Sequence, residues 1–339
     1  MTSMELEATA RSLVAKGKGL LAADESFPTI EKRFAALGIP STEETRRAYR
    51  ETLFTTLGIE EFISGVIMFD ETIRQKSNDG RPFVDVLSRK GIIPGIKVDK
   101  GTVAMPGFPG EKITAGLDGL RERLKEYRDL GARFAKWRAV ITIGSGIPSQ
   151  GNIAANAHGL ALYAALSQEA GLVPVVEPEV LMDGDHDIRR CEEATEAALA
   201  AVFSALREYR VALEGMLLKP NMVLSGKQSP KQASVDEVAE STIRCLKRAV
   251  PAAVPGIVFL SGGQSPEQAT EHLNAMNKMG HHPWEISFSF ARALQDPVLK
   301  TWKGTPANVG AAQRQFHHRA MCNSAARYGR YSEQMEKAA

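Results

Sequence analysis

The sequence predicts an α/β chain folded as a single domain, a (β/α)8 barrel of the TIM type. Three observations carry that reading. Eight short apolar runs recur along the 339 residues, each closing on a polar or charged residue. The runs are continuous rather than alternating, the pattern of strands buried on both faces of a sheet. Helical periodicity fills several of the intervals between them, and strand followed by helix argues a parallel sheet.

In chain order, Leu6, Ala10, Leu13 and Val14 first recur at helical spacing. The apolar runs follow: Gly19–Ala23 before Asp24, Gly65–Phe69 before Asp70, Ile92–Ile96 before Lys97, and Arg133–Ala135 before Lys136. Four more are Leu172–Val176 before Glu177, Gly215–Leu218 before Lys219, Gly256–Leu260 before Ser261, and Trp284–Phe290 before Arg292. Helical faces are formed by Leu117, Leu120, Leu124 and Tyr127, and by Ala157, Leu160, Ala161 and Ala164. Glu192–Tyr209 and Val235–Leu246 show the same period. An open doubly wound sheet is the competing architecture, but it usually carries a glycine-rich nucleotide loop after its first strand. Here that position reads Asp24-Glu25-Ser26-Phe27-Pro28. Length agrees with the barrel, for which about 250 residues is typical and insertions are common. No linker or low-complexity segment divides residues 1–339, and 331–339 reads as a short C-terminal tail.

Composition narrows the function classes. Lys and Arg number 42 against 40 Asp and Glu, a balance that offers no case for nucleic acid or an anionic membrane as the main partner. Phosphate binding therefore has to come from local clusters. The three cysteines, Cys191, Cys245 and Cys322, form no C-x-x-C pair or disulfide framework, which suits a reducing compartment. The N-terminus lacks the apolar core of a signal peptide, and no apolar run reaches membrane-spanning length. A cytoplasmic protein is expected.

In a barrel of this kind chemistry sits at the C-terminal ends of the strands. Asp24, Lys97, Lys136, Glu177, Lys219, Ser261 and Arg292 are placed there by the runs. One such lysine reads as a side chain reaching out to solvent, but three together with two carboxylates and an arginine do not. A lysine must shed its proton to attack a carbonyl, and both desolvation and a neighbouring cation help it do so. Lys219, between Met216-Leu217-Leu218 and Pro220, is the candidate nucleophile, with Lys136 as the neighbouring charge. Glu177 offers proton transfer and Asp24 a second base, a set suited to Schiff-base chemistry. The two glycines of Ser261-Gly262-Gly263 lie between a strand and a helix, where backbone N–H groups can hold a phosphate, and Arg292 can pair with it.

Three other motifs are set aside. Leu260-Ser261-Gly262-Gly263-Gln264 resembles the signature of ABC ATPases, but no Walker A loop accompanies it. Asp183-Gly184-Asp185-His186-Asp187 starts like a calcium loop but lacks the glycine and glutamate required later, so it reads as a polar loop opening a helix. His281-His282 and His317-His318 are adjacent pairs rather than the i, i+4 spacing of a helical zinc site. No catalytic metal and no cofactor are expected.

Seven ordered strings then identify a resemblance to class I fructose-bisphosphate aldolases, from about residue 5 to Tyr331. They are Leu21–Ser26, Pro94–Gly101, Phe134–Arg138, Val176–Glu179, Leu217–Met222, Leu260–Gly263 and Ser287–Leu294. The resemblance implies a lyase of glycolysis and gluconeogenesis. It would cleave fructose 1,6-bisphosphate reversibly to dihydroxyacetone phosphate and glyceraldehyde 3-phosphate. By position, Lys219 matches the Schiff-base lysine and Glu177 the general acid/base. Lys136 matches the supporting lysine, Asp24 the carboxylate that takes the C4 hydroxyl proton, and Glu179 a carboxylate near the imine. Ser26, Lys97, Arg138, Ser261, Gly262 and Arg292 match substrate- and phosphate-binding positions. The resemblance also implies a homo-oligomer, commonly a tetramer. Two alternatives are a Schiff-base aldolase preferring fructose 1-phosphate or sedoheptulose 1,7-bisphosphate, and a non-catalytic binding protein.

The sequence departs from the family pattern in three places. Ser289-Phe290-Ala291-Arg292 stands where many relatives have Ser-Tyr-Gly-Arg, which is expected to alter phosphate contacts through the lost hydroxyl and the reduced tolerance of positive φ at Ala291. Thr29 stands where serine is frequent. Only Ser332–Ala339 follow Tyr331, without the terminal tyrosine that animal relatives use in proton exchange.

Overall fold

The computed structural model describes residues 3–338. Ten strands occur in chain order: β1 (Gly19–Ala23), β2 (Ile63–Met68), β3 (Ile93–Lys97), β4 (Thr102–Ala104), β5 (Lys112–Thr114), β6 (Phe134–Ile141), β7 (Val173–Val180), β8 (Leu217–Leu218), β9 (Gly256–Phe259) and β10 (Glu285–Phe290). Eight of them are parallel neighbours in the order β1-β2-β3-β6-β7-β8-β9-β10, and β10 closes on β1 through Leu20 opposite Ser289. The predicted (β/α)8 barrel is the observed fold. Helices over Leu120–Asp129, Gln150–Glu169, Ile188–Glu208 and Val235–Ala249 match the four periodic stretches, with Leu117 and Tyr209 just outside them. No helix among the described residues is long and apolar enough to cross a membrane.

Side-chain alternation explains both the runs and where they break. Every second residue of a strand points into the barrel and the others face the helices. At the lower end both directions are apolar, so the runs read as continuous. Leu20, Ala22, Ile67, Phe134, Val173, Val175, Leu217 and Val258 fill the interior there. The N-terminal helix Ser3–Leu13 closes this floor with Leu6, Ala10, Leu13 and the following Val14. Higher up the interior turns polar while the outward residues stay apolar.

Strand limits are corrected accordingly. β6 and β7 continue to Ile141 and Val180, so Lys136, Arg138, Glu177 and Glu179 lie within strands rather than at their ends. The run before Lys219 is shorter than expected, because Leu213–Gly215 forms a 3-10 turn. The hairpin β4–β5 was not legible in any apolar run, since its strands are three residues each and largely exposed.

Two interior glycines make room for the floor. A Cβ on Gly95 would stand 2.3 Å from the Phe134 ring, and one on Gly65 would stand 2.7 Å from Leu13. Phe134 sits directly across from Gly95 in the β3–β6 register. Gly95→Ala is therefore expected to lower the unfolding free energy by about 1–3 kcal/mol, the usual cost of overpacking a core. Urea denaturation would measure it, and an unchanged midpoint would show that the ring can move aside.

Candidate active site

The polar upper interior opens into a cleft of about 690 Å3 at the C-terminal ends of the strands. Its walls hold seven cationic side chains, Lys32, Arg33, Lys97, Lys136, Arg138, Lys219 and Arg292, against five carboxylates, Asp24, Glu25, Asp99, Glu177 and Glu179. The excess is positive, as an anionic ligand requires.

At the bottom of the cleft Glu177 is shared by two lysines. Its Oε1 lies 3.2 Å from Lys219 Nζ and its Oε2 3.1 Å from Lys136 Nζ. All three side chains are buried. The contact at Oε2 is within ion-pair distance but is not aligned as a hydrogen bond, so this oxygen retains acceptor capacity. Lys136 also meets Asp24 Oδ2 at 2.7 Å and Asp99 Oδ2 at 4.0 Å. Burial alone would depress the Lys136 pKa, but the carboxylates of Asp24, Glu177 and Asp99 outweigh it and hold the ammonium well above its ordinary value. Burial would likewise raise Asp24, yet Lys136, Lys219 and Lys97 hold its carboxylate well below the usual range. Lys136, the neighbouring charge expected for Lys219, is thus held in an alternating network, because a lysine this deep needs carboxylates around it.

The next residues up the strands extend the alternation. Lys97 Nζ donates to Asp99 Oδ1 at 2.5 Å and to the Asp99 carbonyl at 2.9 Å. The same carboxylate accepts the backbone N–H groups of Gly101 and Arg138, at 3.1 and 3.2 Å. Arg138 donates its Nε–H to Glu179 Oε2. Opposite Arg138, the register places Glu177 directly across on β7.

At the rim, Ser261, Gly262, Ala291 and Arg292 lie on one side of the cleft, and Ser26, Thr29, Lys32 and Arg33 also line it. Gly262 adopts a left-handed φ of 56°, and its carbonyl accepts a hydrogen bond from Arg292. Burial and the nearby Arg33 lower the Arg292 pKa. Ser26 and Thr29 bring their hydroxyls within 3.2 Å of each other.

The helix end facing the cleft is not the one the two glycines suggested. Helix Pro266–Lys278 is closed by its own capping box, Ser265 with Gln268, and Gly263 N–H is directed at Met182 Sδ. Helix Arg292–Trp302 begins at Ala291 with no side-chain cap, leaving its first N–H groups for an anion. Ala291 has φ −101°, so glycine-like freedom is not needed there. Phe290 is fully buried against Phe288 on the helix side of β10 and does not line the cleft, so its missing hydroxyl is no loss to the site.

Four contributors escaped the sequence reading. Asp99 bridges Lys97 and the Lys136 region. Glu25 is buried between Arg50, at 2.5 Å, and Arg33. Gln295 on helix Arg292–Trp302 donates to Glu25 Oε1 at 2.9 Å and to the Ala22 carbonyl at 2.6 Å. Ser289 shares one interior level with Ile67, Lys136 and Lys219, contributed by the alternate strands β10, β2, β6 and β8. Its buried hydroxyl has no hydrogen-bond partner among the described residues. Alternation from Ala291 down β10 was the signal that could have found it.

Comparison with known proteins agrees with this geometry. The family model described as fructose-bisphosphate aldolase class-I matches residues 5–339. A probable fructose-bisphosphate aldolase class 1 of Xanthomonas campestris is 59% identical over 332 residues, covering 98% of this chain and 99% of that protein. The cytosolic fructose-bisphosphate aldolase 6 of Arabidopsis thaliana is 57% identical over 96% of this chain and 91% of its own. A Plasmodium falciparum fructose-bisphosphate aldolase, solved in complex with TRAP and a small-molecule inhibitor, superposes with a TM-score of 0.96 at 51% identity, covering 97% of this chain and 95% of that one. The chain belongs to the class I fructose-bisphosphate aldolase family.

Proposed function

We propose that this chain cleaves fructose 1,6-bisphosphate reversibly to dihydroxyacetone phosphate and glyceraldehyde 3-phosphate through an imine on Lys219. The observation that carries the reading is the buried Glu177 carboxylate touching both Lys219 and Lys136 at the base of a net-cationic cleft. Lys219 Nζ attacks the C2 carbonyl of the open-chain sugar. Glu177 takes the proton that Lys219 sheds before attack and returns it to the carbinolamine hydroxyl, which leaves as water. Lys136 stays charged and steadies both Glu177 and Asp24. Asp24, ionised at neutral pH, accepts the C4 hydroxyl proton as the C3–C4 bond breaks and its electron pair passes into the imine. Glu177, reprotonated from solvent water, also delivers a proton to C3 of the resulting enamine before hydrolysis frees Lys219.

The rim residues hold the phosphates. Arg292, Ser261, Gly262 and the open end of helix Arg292–Trp302 take one. Ser26, Lys97 and Arg138 take the other, with the Arg138 terminal nitrogens left over after Nε pairs with Glu179. Ser289, level with Lys219 in the barrel, bonds the sugar near C2, and Glu179, near the imine, orients Arg138. Residues 1–339 act as one unit, in a cytoplasmic homo-oligomer that the family resemblance makes a tetramer, with no nucleic-acid or membrane partner.

Borohydride reduction in the presence of dihydroxyacetone phosphate is expected to label Lys219 alone and abolish activity, as read by peptide mass spectrometry. Label on Lys97 or Lys136 would move the nucleophile, and no label at all would favour a binding protein. Lys219→Arg is expected to be inactive, since a guanidinium stays protonated. Arg292→Ala should raise KM for the bisphosphate about ten- to a hundredfold, the worth of a charge-assisted hydrogen bond of about 1.5–3 kcal/mol. A coupled assay checks this, and an unchanged KM would remove Arg292 from the phosphate site. Because the imine serves as the electron sink, EDTA should leave the cleavage rate unchanged, whereas loss restored by zinc would overturn the Schiff-base route.

A further inference from the structure

The end of the chain folds back on the last long helix, Val309–Arg327. On that helix His318 and Cys322 are four residues apart, so they share a face. After the helix the chain reverses at Gly329, in a left-handed conformation, and returns as the 3-10 segment Glu333–Ala338. That return lays Glu336 over the same face. His318 Nε2 lies 3.3 Å from Glu336 Oε2 and 3.6 Å from Cys322 Sγ, and the three donor atoms all fall within 4.8 Å of one another.

Those separations have a specific meaning. Tetrahedral zinc binds imidazole nitrogen at about 2.0–2.1 Å, carboxylate oxygen at about 2.0–2.2 Å and thiolate sulfur at about 2.3 Å. Tetrahedral angles then put nitrogen and oxygen roughly 3.3–3.5 Å apart, and nitrogen and sulfur roughly 3.5–3.6 Å apart. The observed pairs match both values. We propose that His318, Cys322 and Glu336 form a divalent-metal site of zinc type that fastens the C-terminal tail to the last helix.

The surroundings are built for that task. Glu336 uses only one oxygen toward His318. Its other oxygen, Oε1, accepts from the Tyr331 hydroxyl at 2.8 Å and from Arg319, so the ligating oxygen is oriented by the groups behind it. Arg319 is itself buried, donating to Thr270 Oγ1 at 2.5 Å and to the Pro266 carbonyl at 2.9 Å. The tail is thereby tied to helix Pro266–Lys278, which follows the Ser261–Ser265 loop of the cleft. None of the three ligands lines the cleft, so the site is structural. Water takes the fourth position, and binding releases the Cys322 thiol proton to solvent.

The test uses the full-length enzyme, stripped with EDTA, dialysed and titrated with cobalt(II) under nitrogen. One equivalent should bind with a thiolate-to-cobalt charge-transfer band and the visible spectrum of a tetrahedral ion, and zinc should displace it. Cys322→Ala should remove the charge-transfer band, whereas Cys245→Ala should leave it intact. Glu336→Gln, at a part-exposed position, should weaken cobalt binding at least tenfold with an unchanged circular dichroism spectrum, which keeps the proposal testable if Cys322→Ala does not fold. Zinc should also slow carboxypeptidase removal of residues 332–339 without changing kcat. Failure to bind cobalt, or a band that survives Cys322→Ala, would overturn the site and reduce the cluster to a hydrogen-bonded lock. Neither result touches the assignment of Lys219, which the borohydride label decides.

Discussion

The upper half of the barrel depends on the charge of Lys136. An ammonium buried this deeply is stable only if carboxylates compensate it, and Glu177 does so from within β7 and Asp24 and Asp99 from just past β1 and β3. Each carboxylate then acquires a second cationic neighbour. Glu177 reaches Lys219, and Asp99 reaches Lys97. A buried residue left unpaired here would carry a cost of several kcal/mol, so the members stand or fall together. This coupling also equips the site for chemistry, since a proton moved onto or off Glu177 is felt by both lysines at once.

The frame that makes such a network possible is the apolar floor. The floor excludes water from beneath the charged level, and the helix Ser3–Leu13 provides that closure with Phe134 packed over Gly95. The polar level begins directly above. Lys136, Lys219 and Ser289 stand at one height together with Ile67, the last apolar member of the transition. Ion pairs that would be weak on a surface are stronger in this setting, because the effective dielectric is lower.

Around the rim a second buried carboxylate does a similar job at larger radius. Glu25 collects Arg33 and Arg50, from the consecutive helices Phe27–Ala35 and Glu43–Phe54, and Gln295 from the far end of the chain. Gln295 lies one turn inside the helix whose uncapped end faces the cleft, and it also bonds the Ala22 carbonyl beside Asp24. The position of that open helix end is therefore set from the same point as Asp24. This gives the rim and the base of the cleft a common reference.

Much of this was legible in the sequence, and the reason is local. Continuous apolar runs report strands buried on both faces, and the polar residue closing each run reports the height at which the interior turns polar. That reasoning reached Asp24, Lys97, Lys136, Glu177, Lys219, Ser261 and Arg292, the glycines between a strand and a helix gave Gly262, and the ordered strings added Glu179, Arg138 and Ser26. Strand limits were not legible in β6 and β7, because inward lysine, arginine and glutamate interrupt the run while the strand continues. Partnerships were not legible either. Glu25 with Gln295 and Lys136 with Asp24 join residues far apart in the chain, and His318 with Glu336 depends on how the tail reverses. Composition and period determined the fold and most of the reactive side chains. Barrel closure decided which of them meet, since only closure fixes the register that brings eight strand ends to one point.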